Sequence, residues 1–88
     1  MKSGRGGYMR IDKFLKNSRI IKRRTVAKEA CEQGRITVNG KVAKPGNEVD
    51  TGDDIYISFG NGSLRVRVLE LKDPCRKEDA ASMYEVIE

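Results

Sequence analysis

The sequence predicts an α+β fold: two or three short helices packed on a small, mostly antiparallel twisted sheet. Three observations carry this. Ile11, Phe14, Leu15 and Ser18 recur at the spacing of one helical face, and a second apolar set follows at Val26, Ala27, Ala30 and Cys31. Arg35-Ile36-Thr37-Val38 alternates with period two and runs into Asn39-Gly40, the strongest short hairpin signal. Ile55-Tyr56-Ile57-Ser58-Phe59 and Leu64 to Leu69 alternate on either side of Gly60-Asn61-Gly62.

Taken in order, residues 1–8 are glycine-rich and basic with no periodicity, and read as a flexible extension. Residues 9–88 read as a single domain. The first helix is expected from Ile11 to about Ser18, with Asp12 in its first turn, where the helix dipole favours an acid. Ile20-Ile21 forms an apolar elbow, followed directly by Lys22-Arg23-Arg24. Thr25 is the expected N-cap of the second helix. That helix buries Val26, Ala27, Ala30 and Cys31, runs to about Gln33, and stops at Gly34 in a left-handed cap. Small side chains at 27 and 30 allow close packing. Lys41-Val42 begins the return strand, and Lys44 to Asn47 is a loop. Val49 precedes a turn at Asp50-Thr51-Gly52-Asp53. In the next hairpin Ile55, Ile57 and Phe59 should face the core with Leu64, Val66 and Val68, leaving Arg65 and Arg67 outside. Lys72-Asp73-Pro74 should end that hairpin. Arg76 to Met83 should form one or two helical turns with Ala80 and Ala81 inward, and Tyr84 to Ile87 a last short strand.

Composition narrows the function. A chain of 88 residues has no room for a large enclosed cavity, since chains of this size bury only roughly 60–65% of their unfolded surface. There is no histidine, and Cys31 and Cys75 match no paired metal-ligand spacing, so neither a metal nor any other cofactor is expected. Both cysteines read as reduced thiols. No P-loop or nucleophile elbow occurs, and the glycines at 4, 6 and 7 do not follow a strand. Asp53-Asp54 sits at a turn, where aspartate is favoured for backbone reasons. An enzyme is therefore not expected. The N-terminus lacks the apolar run of a signal peptide, and nothing approaches a membrane span, so a cytoplasmic protein is expected.

The charge distribution gives the positive signal. Residues 1–28 hold ten Lys/Arg and one acid, giving +9, while residues 29–88 hold eight and twelve, giving −4; together they make the net +5. A basic pole on a weakly acidic body suits an oriented polyanion binder. The candidate RNA-contacting set is Arg10, Lys13, Lys16, Arg19, Lys22, Arg23, Arg24 and Lys28. Three adjacent cations at 22–24 repel one another, which a polyanion would relieve. RNA fits better than DNA. No helix is long enough to serve as a major-groove reader, and the sheet lacks the paired aromatics of a single-strand platform.

The runs R-I-D-K-F-L, S-R-I-I-K-R-R-T-V-A-K-E-A and G-R-I-T-V-N-G-K-V, with Gly52-Asp53 after them, resemble the RNA-binding domain named after the fourth protein of the small ribosomal subunit, the S-four domain with its αL motif. The tail Leu71-Lys72-Asp73, Lys77-Glu78, Ala80-Ala81 and Met83-Tyr84 is similar to that of stand-alone members, the RqcP (YabO) family. These are related to the 15-kDa heat-shock protein that binds free large ribosomal subunits. The resemblance implies a non-catalytic factor of ribosome-associated quality control, acting on obstructed large subunits; a monomer is expected. It implies large-subunit rRNA, peptidyl-tRNA and an RqcH-type factor as partners, and a supporting role in alanine tailing of stalled chains. Carried over by position, it marks Arg10 and Arg24 first, with Lys13, Lys16, Arg19 and Arg23 beside them. Three other readings stay open: a general rescue factor for free subunits, the RNA-binding accessory module of an RNA-modifying enzyme such as a pseudouridine synthase, and a module whose acidic half binds a basic protein.

Overall fold

The computed structural model describes residues 9–71 and 76–87. The expected extension at 1–8, the strand end at Lys72-Asp73-Pro74 and Cys75 lie outside the described residues. The elements run β1 (Met9–Arg10), α1 (Ile11–Asn17), α2 (Arg24–Glu32), β2 (Ile36–Val38), β3 (Lys41–Val42), β4 (Glu48–Val49), β5 (Asp54–Phe59), β6 (Gly62–Val68), a 3-10 helix (Lys77–Met83) and β7 (Tyr84–Val86). The α+β expectation is borne out.

Five strands form one antiparallel sheet in the order β3-β2-β5-β6-β7. Period-two alternation sets its register. Ile36 lies opposite Ile57, and Ile55 opposite Val66, so the apolar residues share one face. Asn39 and Gly40 both have positive φ, 53° and 86°, the signature of the two-residue turn whose twist matches the strands. Asn39 does more than turn the chain. Its Nδ2 donates to Asp53 Oδ1 at 3.2 Å, and its Oδ1 accepts from the Asp54 amide at 3.0 Å. The hairpin tip is thereby fastened to the start of β5.

The helices cover the apolar face. Ile11, Phe14, Leu15, Ala27, Ile36, Ile55, Val66 and Met83 are buried in one cluster. Full burial of such aliphatic or aromatic side chains contributes about 1.5–3 kcal/mol each. Ile21 is buried and Ile20 packs against the same cluster, so the elbow is anchored as expected. A two-stranded ribbon, Met9 opposite Val49 and Arg10 opposite Glu48, ties the start of α1 to the far side of the motif. The Ile11 amide donates to the Asn47 carbonyl at 2.7 Å beside it. Such short strands have no readable period, so the sequence did not announce this ribbon.

Several expectations are corrected. Thr25 is not the N-cap: α2 starts two residues earlier, Arg23 occupies that position with extended backbone, and no side-chain hydrogen bond caps it. Val26 is 46% exposed; it lies one step around the helix from the buried pair Ala27 and Cys31, beyond the reach of the sheet. Phe59 shares the strand face of Ile55 and Ile57 but is the last residue of β5, and is exposed. In the C-terminal turn, Ala80 and Met83 point inward while Ala81 is exposed, because the turn is 3-10, where residues three apart share a face.

Candidate nucleic-acid interface

The two helices and their elbow place the basic residues along one continuous stretch. Arg10 closes β1, Lys13 and Lys16 lie on α1, Arg19 and Lys22 lie in the elbow, Arg23 precedes α2, and Arg24 and Lys28 stand one turn apart on it. All are exposed except Lys13, which is partly buried.

The structure brings this set together at two points. The first is Asp12. It is 2% exposed, yet its carboxylate carries two cations. Arg10 Nη2 donates to Oδ2 at 3.2 Å, and Arg24 Nη2 lies 3.5 Å from Oδ1, an ion pair at the limit of hydrogen bonding. The two arginine side chains keep 49% and 47% of their surface exposed. Placing Asp12 in the first turn for the helix dipole accounts for only part of its role; the cross-helix pairing to Arg24 is invisible in sequence spacing. The second point is a cleft of about 290 Å³ lined by Lys16, Asn17, Arg19 and Lys22. Three cations around one depression form a seat for an anion such as phosphate. Asn17 was not among the expected contacts.

The ends of the two helices differ in an informative way. α2 ends in Gly34 at φ 76°, with the Gly34 amide bonded to the Cys31 carbonyl and Arg35 to Ala30. This is the glycine-ended motif expected there. α1 ends in the same left-handed geometry, but the residue is Arg19, at φ 63°. Its amide bonds to the Lys16 carbonyl at 3.0 Å. A side chain bearing a Cβ is disfavoured in this region by about 1–2 kcal/mol. The chain thus accepts strain at the edge of the cationic cleft.

Apart from Asp12, which reaches Arg24 from α1, the start of α2 is short of negative charge. No acid lies in its first turn, no side chain caps it, and two arginines crowd the positive end of its dipole. An incoming phosphate would meet free amides and cations together. Among the described residues no group of His, Cys, Asp and Glu could hold a metal ion, and no helix is long and apolar enough to cross a membrane. Cys31 is a buried free thiol. Burial first, then the nearby charges of Asp12 and Glu32, push its pKa from 9.0 up to about 11.

A short helical pair carrying the cations, with a hairpin locked behind it, defines a class: a compact αL-type RNA-binding module. Comparison with known proteins agrees. Residues 9–55 match the S4 domain. The chain is 59% identical over 78 residues to an RQC P-site tRNA stabilizing factor of Halalkalibacterium halodurans, covering 89% of each chain. It is 60% identical over 79 residues to the protein of the same name from Streptococcus pneumoniae, covering 90% of each. Among solved structures, the trimeric Heat Shock Protein 15 of Vibrio cholerae superposes with a TM-score of 0.84 at 28% identity, over 92% of this chain and 83% of that one. The chain belongs to the S4-domain family, in the branch formed by the RQC P-site tRNA stabilizing factors.

Proposed function

We propose that this chain is a non-catalytic RNA-binding factor of ribosome-associated quality control. It binds large-subunit rRNA and peptidyl-tRNA on obstructed large subunits, and supports RqcH-dependent alanine tailing of the stalled chain. It does so in the cytoplasm, as a monomer, with residues 9–88 as its single RNA-binding domain. The observation that carries the reading is the cationic face from Arg10 to Lys28, with its paired arginines and its three-cation cleft. The relatives' name, for stabilizing a P-site tRNA, supports tRNA as a ligand of that face.

Physically, the face acts by position and charge. Cations on two rigid helices neutralise phosphates and release counterions, so binding is steeply salt-dependent. Two separated cationic points on one small body can meet two RNA elements at once, which suits a factor that holds a tRNA against the subunit. No bond is made or broken, and the contribution is to hold the RNA in place.

The test is charge reversal at the elbow. Arg23→Glu, at an exposed cation outside the Asp12 pairing, should sharply weaken co-sedimentation with large subunits at moderate salt and reduce alanine tails on stalled chains, with the far-UV spectrum unchanged. Undiminished co-sedimentation would refute the reading. A second reading, a rescue factor for free large subunits, is favoured by the likeness to the heat-shock protein. It predicts subunit binding with alanine tailing intact when the chain is deleted.

A further inference from the structure

We infer that Asp12 is a positioning residue for RNA binding: one buried carboxylate that pre-sets the two arginines leading the basic face. The inference rests on the RNA-binding reading above and goes beyond it. An acid amid eight cations looks like a defect, because it repels phosphate and lowers the local potential. Its geometry argues otherwise. Each oxygen engages a different guanidinium, Oδ2 that of Arg10 at 3.2 Å and Oδ1 that of Arg24 at 3.5 Å. Those arginines come from separate elements, β1 and the start of α2, while Asp12 lies on α1 between them. One anion therefore links three elements.

Burial and exposure divide in a way that simple structural glue does not require. The Asp12 side chain is 3% exposed, while the arginines keep about half of their surface in solvent, 49% and 47%. A guanidinium has five N–H donors. Each contact with Asp12 uses one Nη nitrogen of its arginine, so donors remain for a ligand. Fixing a long cation before binding removes an ordering cost that the complex would otherwise bear. The carboxylate thus exchanges one unit of attraction for two pre-ordered forks. A charge buried in this way persists only when paired, so the arrangement is self-consistent.

The two effects of Asp12 have opposite signs, and that makes the inference testable. If Asp12 matters only as a charge, Asp12→Asn should bind RNA more tightly, since the net charge rises by one. If it positions the arginines, the same variant should bind more weakly, by about tenfold for two long side chains released from order. The salt slope should flatten as well, by up to about 0.7–0.9 for each arginine that no longer finds its phosphate. The experiment measures binding of unfractionated tRNA and of purified large subunits across a salt series, with the wild-type chain and Asp12→Asn side by side. A wild-type arm recording arginine side-chain NMR signals keeps the test independent of how the variant folds. The Nη protons of Arg10 and Arg24 should be resolved and slowly rotating in the free protein, and free rotation there overturns the inference. Equal or tighter binding by Asp12→Asn overturns the inference alone and leaves the basic face standing. Failure of the wild-type chain to bind either RNA overturns the reading of the face, and the inference with it.

Discussion

Arg19 offers a perturbation in which stability and function should move in opposite directions. Its φ of 63° places an L-residue in the left-handed region, at the end of a helix where glycine is the usual solution. Glycine there escapes a strain of about 1–2 kcal/mol. It also costs more backbone entropy on folding, about 0.5–1 kcal/mol. Arg19→Gly should therefore stabilise the chain by about 0.5–1 kcal/mol. In a domain of this size that corresponds to a rise in Tm of about 3–6 °C. Arg19→Ala removes the same charge and keeps the strain. Because Arg19 is exposed, the alanine variant should stay within about 0.5 kcal/mol of the parent. Both variants lose one cation from the cleft shared with Lys16 and Lys22. The slope of log affinity for RNA against log salt should fall by about 0.7–0.9 in each. Chemical denaturation gives the stability, and a salt titration of RNA binding gives the slope. A glycine variant no more stable than the alanine variant would refute the strain. An unchanged salt slope in both would refute the phosphate contact.

Two further outcomes follow from the hairpin lock and the buried thiol. Asn39→Ala should lose about 2–3 kcal/mol by urea denaturation, through its positive φ and two hydrogen bonds, whereas Asn39→Gly keeps the turn and should lose less; equal losses would show that the side chain's bonds dominate. Cys31, with its pKa pushed up to about 11 from 9.0, should resist thiol reagents at pH 8 until the chain unfolds. A raised pKa means the unfolded thiol ionises first, so this group's share of stability is full below pH 9 and drains away between pH 9 and about 11. Loss of that alkaline decline in Cys31→Ala checks the assignment.

Local signals made much of the fold legible. Asn39-Gly40 fixed a hairpin because few residue pairs accept two positive φ values, and Gly34 ended a helix for the same reason. Period-two runs gave the register of β5 and β6, since a slip by one residue would turn Ile55 and Val66 to solvent. The charge split located the basic face. Non-local features were hidden. Asp12 and Arg24 are twelve residues apart and meet only because two helices pack together. Arg19 gives no sign of its backbone geometry, because arginine is not a residue that advertises the left-handed region. Val26 was misplaced because apolar residues in so short a helix leave the width of the buried face undefined.

The ribbon between β1 and β4 bears on how the protein comes into being. Arg10 has its backbone set by Glu48, and Ile11 by Asn47, almost forty residues downstream. Closing so long a loop has to wait for distant contacts to form. A chain growing from its N-terminus carries its cations from the outset, but not their arrangement. Until residues 47–49 have been synthesised and paired, the backbone at position 10 lacks its partner strand. A protein made on ribosomes, and shaped to grip RNA, thereby reaches its gripping form only after most of the motif has left the tunnel. Its own synthesis delays its action.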